Sequence, residues 1–144
     1  MFDRWDAPKA LQEVTTVVHG IAPYQPGQFY KRELPCLLAL LNETDHPITA
    51  VIVDGHTWLQ AGKPGLGHHL WEALDQRIPV IGVAKRSFVD GCAQQVLRGR
   101  SKNPLWVTAV GCSVSEAVDG VRMMNGPNRI PTLFKRVDAM SRGR

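Results

Sequence analysis

Two short apolar runs, each cut off by a charged residue, constrain this chain more than any other feature. Ile48–Val53 reads as a continuous apolar strand and stops at Asp54-Gly55. Pro79–Ala84 reads the same way and stops at Lys85. Runs of this length without polar alternation point to strands buried on both faces. Helical patterns alternate with them. Phe29–Asn42 carries Leu34, Leu37, Leu38 and Leu41 at helical spacing, with Pro35 placing the start of the helix proper at that residue. A short helix is expected over Gly67–Asp75, and a further strand over Leu105–Val110. Ser113 and Glu116 form a capping box that opens a helix running to about Met124. A last amphipathic helix starts near Pro131 and is expected to bury Leu133, Phe134, Val137 and Met140. Val14–Val18, rich in β-branched residues, reads as a strand ahead of all of these. The alternation argues for an α/β sheet with helices on its faces.

In such sheets ligands bind beyond the carboxyl ends of the strands. Asp54 and Lys85 both stand there. Asp54 has two readings: a turn residue, since Asp-Gly is a common turn pair, or an oxygen ligand suited to Mg²⁺ or Mn²⁺. Glu33 likewise is either a first-turn glutamate that favours a helix N-terminus or a second metal ligand. Lys85 is either an exposed strand terminator or a cation that reaches a phosphate. The five histidines form no HxxxH pair and have no cysteine at ligand spacing, so a structural zinc site is not expected. There is no GxSxG, P-loop or GxGxxG pattern.

At 144 residues, the chain suits a single domain over residues 1–144. Its hydrophobic content of 44% is that of an ordinary globular protein, and no apolar run is long enough to span a bilayer. Cys36, Cys92 and Cys112 are scattered and read as reduced cytoplasmic thiols, most of them buried. Charge divides the chain. Residues 1–84 hold six Lys/Arg and nine Asp/Glu, a net −3; residues 85–144 hold eleven and four, a net +7. A basic half beside an acidic half suits a protein that grips phosphates with one part and holds cations with the other; a solvated basic surface is the plainer reading.

Taken in order, several segments resemble the endonuclease V family. Pro23-Tyr24-Gln25-Pro26-Gly27 through Phe29-Tyr30-Lys31-Arg32-Glu33-Leu34-Pro35 is similar to its PYxPG…FRExP segment. Val53-Asp54-Gly55-His56 resembles VDGxG, Gly65-Leu66-Gly67-His68-His69 resembles GLASH, and Ile81-Gly82-Val83-Ala84-Lys85 matches IGVAK. Arg129-Ile130-Pro131 and Val137-Asp138 resemble the closing HRLP…AD segment. The resemblance implies a ribonuclease H-like mixed sheet flanked by helices. It implies metal-dependent cleavage, with Mg²⁺ or Mn²⁺, of DNA or RNA on the 3′ side of hypoxanthine at the second phosphodiester. By the same carry-over, Glu33 and Asp54 would be metal ligands and Lys85 would lie near the scissile phosphate. Tyr24, Gln25, Pro26 and Gly27 would form a wedge at the lesion. Gly55, His69 and Arg129 would belong to the nucleic-acid surface.

The sequence departs from that pattern in ways that bear on turnover. The family's leading aspartate lies in an opening strand, and Asp3 and Asp6 neither follow an apolar strand nor stand far enough from the loop to replace it. The usual first strand is therefore expected to be absent. Gln60-Ala61-Gly62-Lys63 replaces an HPR segment, Asn128 a closing histidine, and Thr57 a glycine, where its side chain is expected to narrow the base pocket. Gln25 is polar at a position usually apolar. These changes set a catalytically impaired nucleic-acid-binding protein beside the nuclease, and a small-molecule α/β domain as a third class. An open strand edge beside Ile48–Val53 is expected to be covered by Val14–Val18 or by a second subunit in a homodimer.

Overall fold

The computed structural model describes residues 1–88 and 91–144. The chain enters through an irregular segment, then forms α1 (Phe29–Asn42), β1 (Val51–Asp54), β2 (Trp58–Gln60), β3 (Lys63–Pro64), α2 (Leu66–Ala73), β4 (Val80–Ala84), β5 (Gln94–Val96), β6 (Leu105–Val110), α3 (Val114–Met123) and α4 (Thr132–Ser141). The main sheet runs β1-β4-β6-β5; β2 and β3 form a separate hairpin. β1 lies parallel to β4, and β6 is antiparallel to both β4 and β5, so the sheet is mixed.

Strand pleating sorts the side chains onto two faces. Val51, Val53, Val80 and Val110 face α1 and α2, where Leu34, Leu37, Leu38, Leu41 and Leu70 pack against them. Ile52, Ile81, Val83, Leu105 and Val107 face the other way, against Ala117, Val118 and Val121 of α3, Phe134 of α4 and Trp5. The result is three layers, helix–sheet–helix. β4 is the centre of the sheet and every one of its residues is buried.

The structure moves several expected boundaries. The helix of α1 starts at Phe29 and carries Pro35 inside it. Proline removes one intrahelical bond there, but the leucine face that packs on β1 and β4 keeps the helix continuous. Glu33 therefore sits in the second turn, beyond the reach of the N-terminal dipole that a first-turn glutamate would serve. Val14–Val18 forms no strand, and Val17 is 79% exposed. Gln12, bonded to Asp45, and Glu13, bonded to Arg136, tie down only the residues ahead of it. Among the described residues, no strand pairs with the outer edge of β1. β1 itself begins at Val51, and Val53 is its one buried residue. Position at the edge explains this, because only a central strand is covered on every side. In α4, Leu133 is buried but Val137 is 63% exposed, so the apolar stripe is narrower than its sequence implies. The cysteines are free, with Cys92 exposed and the other two half-buried. Among the described residues, no helix is long and apolar enough to cross a membrane.

Candidate active site at the carboxyl ends of β1 and β4

Parallel pairing brings the two strand ends together. Asp54 is in register with Val83, and the Gly55 N–H donates to Val83 O at 3.1 Å. Lys85 follows Ala84, the last residue of β4. By the alternation of the pleat, Asp54 and Lys85 leave their strands towards the face that carries α3. Both are exposed, and they do not form an ion pair with each other.

The loop after Asp54 is held by backbone contacts. The Thr57 N–H donates to Thr108 Oγ1 at 2.8 Å. Gly65 N–H donates to Thr57 O at 2.9 Å, and Gly67 N–H to His56 O at 3.1 Å. This close seating requires glycine at position 82. A Cβ there would stand 2.6 Å from both Gly55 O and Thr108 Oγ1. Thr57 is fully buried, its methyl group set against Gly67 of α2. It points into the protein, so it does not narrow the pocket as its sequence position suggests. Gln60-Ala61-Gly62-Lys63 supplies the turn of the β2–β3 hairpin.

Glu33 comes from the opposite layer. Tyr30, one turn before it, stacks on His69 of α2 with ring centroids 3.6 Å apart. That contact, with the leucine face of α1, fixes the first half of the helix over β1. Glu33 is half-buried and lies 3.9 Å from the Arg32 guanidinium. His69 is held below the usual imidazole range by partial burial, opposed by the nearby Glu72 carboxylate. Tyr24, Gln25, Pro26 and Gly27 form an exposed turn ahead of α1. Gln28 N–H donates to Gln25 O at 3.0 Å, with Pro26 and Gly27 in the middle and Gly27 at φ +75°. These are the marks of a type II turn, which needs positive φ at its third residue. Tyr24 projects from it, 60% exposed.

A cavity of about 430 Å³ opens beside Lys85, lined by His56, Ala84, Arg86, Ser87 and Phe88. His56 Nε2–H donates to Arg86 O at 2.9 Å and meets Phe88 edge-on. On the other side of Lys85, Arg129 Nη2 donates both to Lys85 O at 2.6 Å and to Pro104 O at 2.7 Å. Arg129 is thus tied to the end of β4 and the start of β6 through its backbone partners. Arg98 carries no motif in the sequence. Its side chain is buried and donates to the carbonyls of Met124, Gly126, Asn128 and Arg129. Burial pulls its pKa down. An arginine that caps a loop through carbonyls has no spacing signature, which is why the sequence is silent about it.

Asp54 closes β1 and Glu33 stands in the second turn of α1. Among the described residues, no group of three His, Cys, Asp or Glu side chains is placed to hold a metal. Mg²⁺ is commonly bound by one or two carboxylates, with water and substrate phosphate completing its octahedron. A pair of carboxylates fits that donor set and does not fit an all-protein cage.

The mixed four-stranded sheet between helical layers, with its polar end at β1 and β4, defines a ribonuclease H-like α/β domain. The endonuclease V profile matches residues 4–128, and the chain belongs to the endonuclease V family. An endonuclease V of Rhodospirillum centenum is 34% identical over 154 aligned positions, covering 90% of this chain and 63% of the relative. That of Gloeobacter violaceus is 35% identical over 83, covering 58% of this chain and 29% of the relative. The chain thus spans less than two thirds of the length of either. The crystal structure of Streptomyces avermitilis endonuclease V superposes with a TM-score of 0.67 at 27% identity, covering 84% of this chain and 61% of that one. A Ciona intestinalis endonuclease V, crystallised with a DNA containing an inosine followed by a ribo-adenosine, shares the fold with a TM-score of 0.72 at 20% identity, covering 85% and 67%.

Proposed function

We propose that this chain is a metal-dependent endonuclease acting on DNA or RNA strands that contain hypoxanthine, cutting at the second phosphodiester on its 3′ side. The observation that carries the reading is the pair Asp54 and Lys85, a carboxylate and a cation leaving neighbouring parallel strands at the same end, in a member of this family. Asp54 and Glu33 would hold the cation. Because Glu33 comes from the α1 layer and Asp54 leaves the sheet towards the other face, it would sit beyond the strand ends rather than over either face. Mg²⁺ or Mn²⁺, when bound, activates water and neutralises charge on the phosphate and the leaving oxygen. Lys85 pairs with a phosphate oxygen and orients it. Tyr24, on its exposed turn with Gln25, Pro26 and Gly27, stacks against a base as the target leaves the helix. A deaminated pair opens at lower cost than a normal one. Gly55 and His69 would line the approach, and Arg129 holds the Lys85 backbone in place.

A second reading is a protein that binds such strands without cutting them. It is favoured by the lack of a third ligand beside Glu33 and Asp54 among the described residues. Incubating a labelled inosine-containing oligonucleotide with the protein and Mg²⁺ or Mn²⁺ decides between them. Product that disappears in Glu33→Ala and Asp54→Ala establishes the nuclease. Tight binding with no product at high enzyme and metal establishes the binder. We also propose that a second copy covers the open edge of β1; a monomer in sedimentation equilibrium at high concentration rejects that.

A further inference from the structure

Resting on the nucleic-acid reading above, we infer that the loop joining β5 to β6 is a second phosphate-binding surface, which grips the strand a few nucleotides from the phosphodiester held at Lys85. Register puts it at the right end of the sheet. Ala84 pairs with Trp106 and Val96 with Leu105, so the loop of residues 97–104 emerges where β4 ends. One nitrogen of Arg129 bonds both Lys85 O and Pro104 O, which ties the foot of the loop to the candidate active site.

The loop carries Arg98, Arg100 and Lys102, and residues 91–104 contain no Asp or Glu. Arg100 and Lys102 are exposed, and neither forms an ion pair among the described residues. Arg98 does different work. It turns inward and is capped by four carbonyls of residues 124–129, with no carboxylate of the described residues among its partners. Gly99, at φ +60°, lies so close to Pro127 O that no side chain would fit. The loop is therefore anchored at Arg98 and Gly99 and again at Pro104. A flexible basic loop would lose conformational entropy on binding; one already fixed loses less. Its positive potential is not cancelled from within, because carbonyl dipoles shield the buried guanidinium without neutralising it.

Reach sets which phosphates are involved. Lys102 and Arg100 are two and four residues from Pro104, hence within about 7 and 14 Å of it along the backbone. At roughly 3.4 Å per nucleotide, that is about two to four nucleotides away.

The test is binding, measured apart from cleavage. A labelled inosine-containing single strand, long on both sides of the lesion, is titrated by fluorescence anisotropy in EDTA across a range of salt. For the double variant Arg100→Ala/Lys102→Ala, the slope of log affinity against log salt should flatten by about 1.4, near 0.7 for each lost contact. Its melting temperature should be unchanged, as both side chains are exposed. Arg100→Lys/Lys102→Arg should restore the slope, and an oligonucleotide trimmed close to the lesion should no longer distinguish wild type from the double variant. An unchanged slope and affinity in the double variant overturns the inference, as does wild-type protein that binds no strand. Wild type that cuts while the double variant binds normally leaves the nuclease reading standing and removes this one. A flattened slope in a protein that never cuts does the reverse.

Discussion

β4 and β1 are built from the same kinds of residue and lie side by side, but one is the centre of the sheet and the other its edge. β4 is paired on both sides and buried along its whole length. Among the described residues β1 is paired on one side, with Val53 alone buried. Lys85 follows a strand that is buried throughout and paired on both sides, whereas Asp54 rides on a strand that owes its position to one neighbour and the leucine face of α1. Loss of chemistry and loss of stability should therefore separate along this pair of strands.

The largest expected effect breaks chemistry alone. Asp54→Ala should lower cleavage of an inosine-containing strand by more than about 100-fold, since even outer-shell partners of a metal site cost up to that much. Asp54 is exposed, so thermal melting should not move. A large drop in melting temperature would mean the strand end is structural. The next effect breaks the centre. Leu70→Ala, at a fully buried side chain packed against Val80, should cost about 2–5 kcal/mol in urea unfolding. Gly82→Ala should cost about 1–3 kcal/mol, because its Cβ pushes against Gly55 O and Thr108 Oγ1. It should also weaken strand binding by displacing the loop after Asp54. Val51→Ala, on the half-buried edge, should cost no more than about 1.5 kcal/mol. If it matched Leu70→Ala, the edge would be covered in solution, as a second copy would cover it.

The smallest effect is a pH dependence. His69 has its pKa lowered by burial, so the folded chain holds that proton less tightly than the unfolded one. Stability is then unaffected well above 6.5 and falls as pH drops below it. His69→Gln should remove that acid-side loss, while near pH 8 it should cost only the stacking on Tyr30, about 0.5–1.5 kcal/mol. A stability profile that keeps the same acid limb in the variant would assign it to other groups.

Residues with a strong local reason were legible in the sequence. β6 and α3 were readable from a buried apolar run and from Ser113, whose hydroxyl accepts from the Glu116 N–H. So were the positions of Asp54 and Lys85 at strand ends, because an apolar run that stops on a charge marks the end of burial. Elements that depend on distant partners were not legible. β5 reads Gln94-Gln95-Val96 and exists because β6 lies beside it. The β2–β3 hairpin is only a few residues long and turns at Gly62. Val14–Val18 has strand propensity, but among the described residues no strand pairs with it, and β propensity is realised only against a neighbour. The expected homodimer belongs to the same class, since an edge in a sequence names no occupant. Arg98 shows the same limit at the site: its role comes from four carbonyls far along the chain.

On this reading metal and substrate meet beyond the carboxyl ends of β1 and β4. Paramagnetic broadening by Mn²⁺, read on the backbone amides of isotopically labelled protein with an inosine-containing strand present, tests it most directly. Broadening should centre on Gly55 and Arg86, extend to the Glu33 turn of α1, and be lost in Asp54→Ala. Broadening centred elsewhere, or unchanged by that substitution, would contradict it.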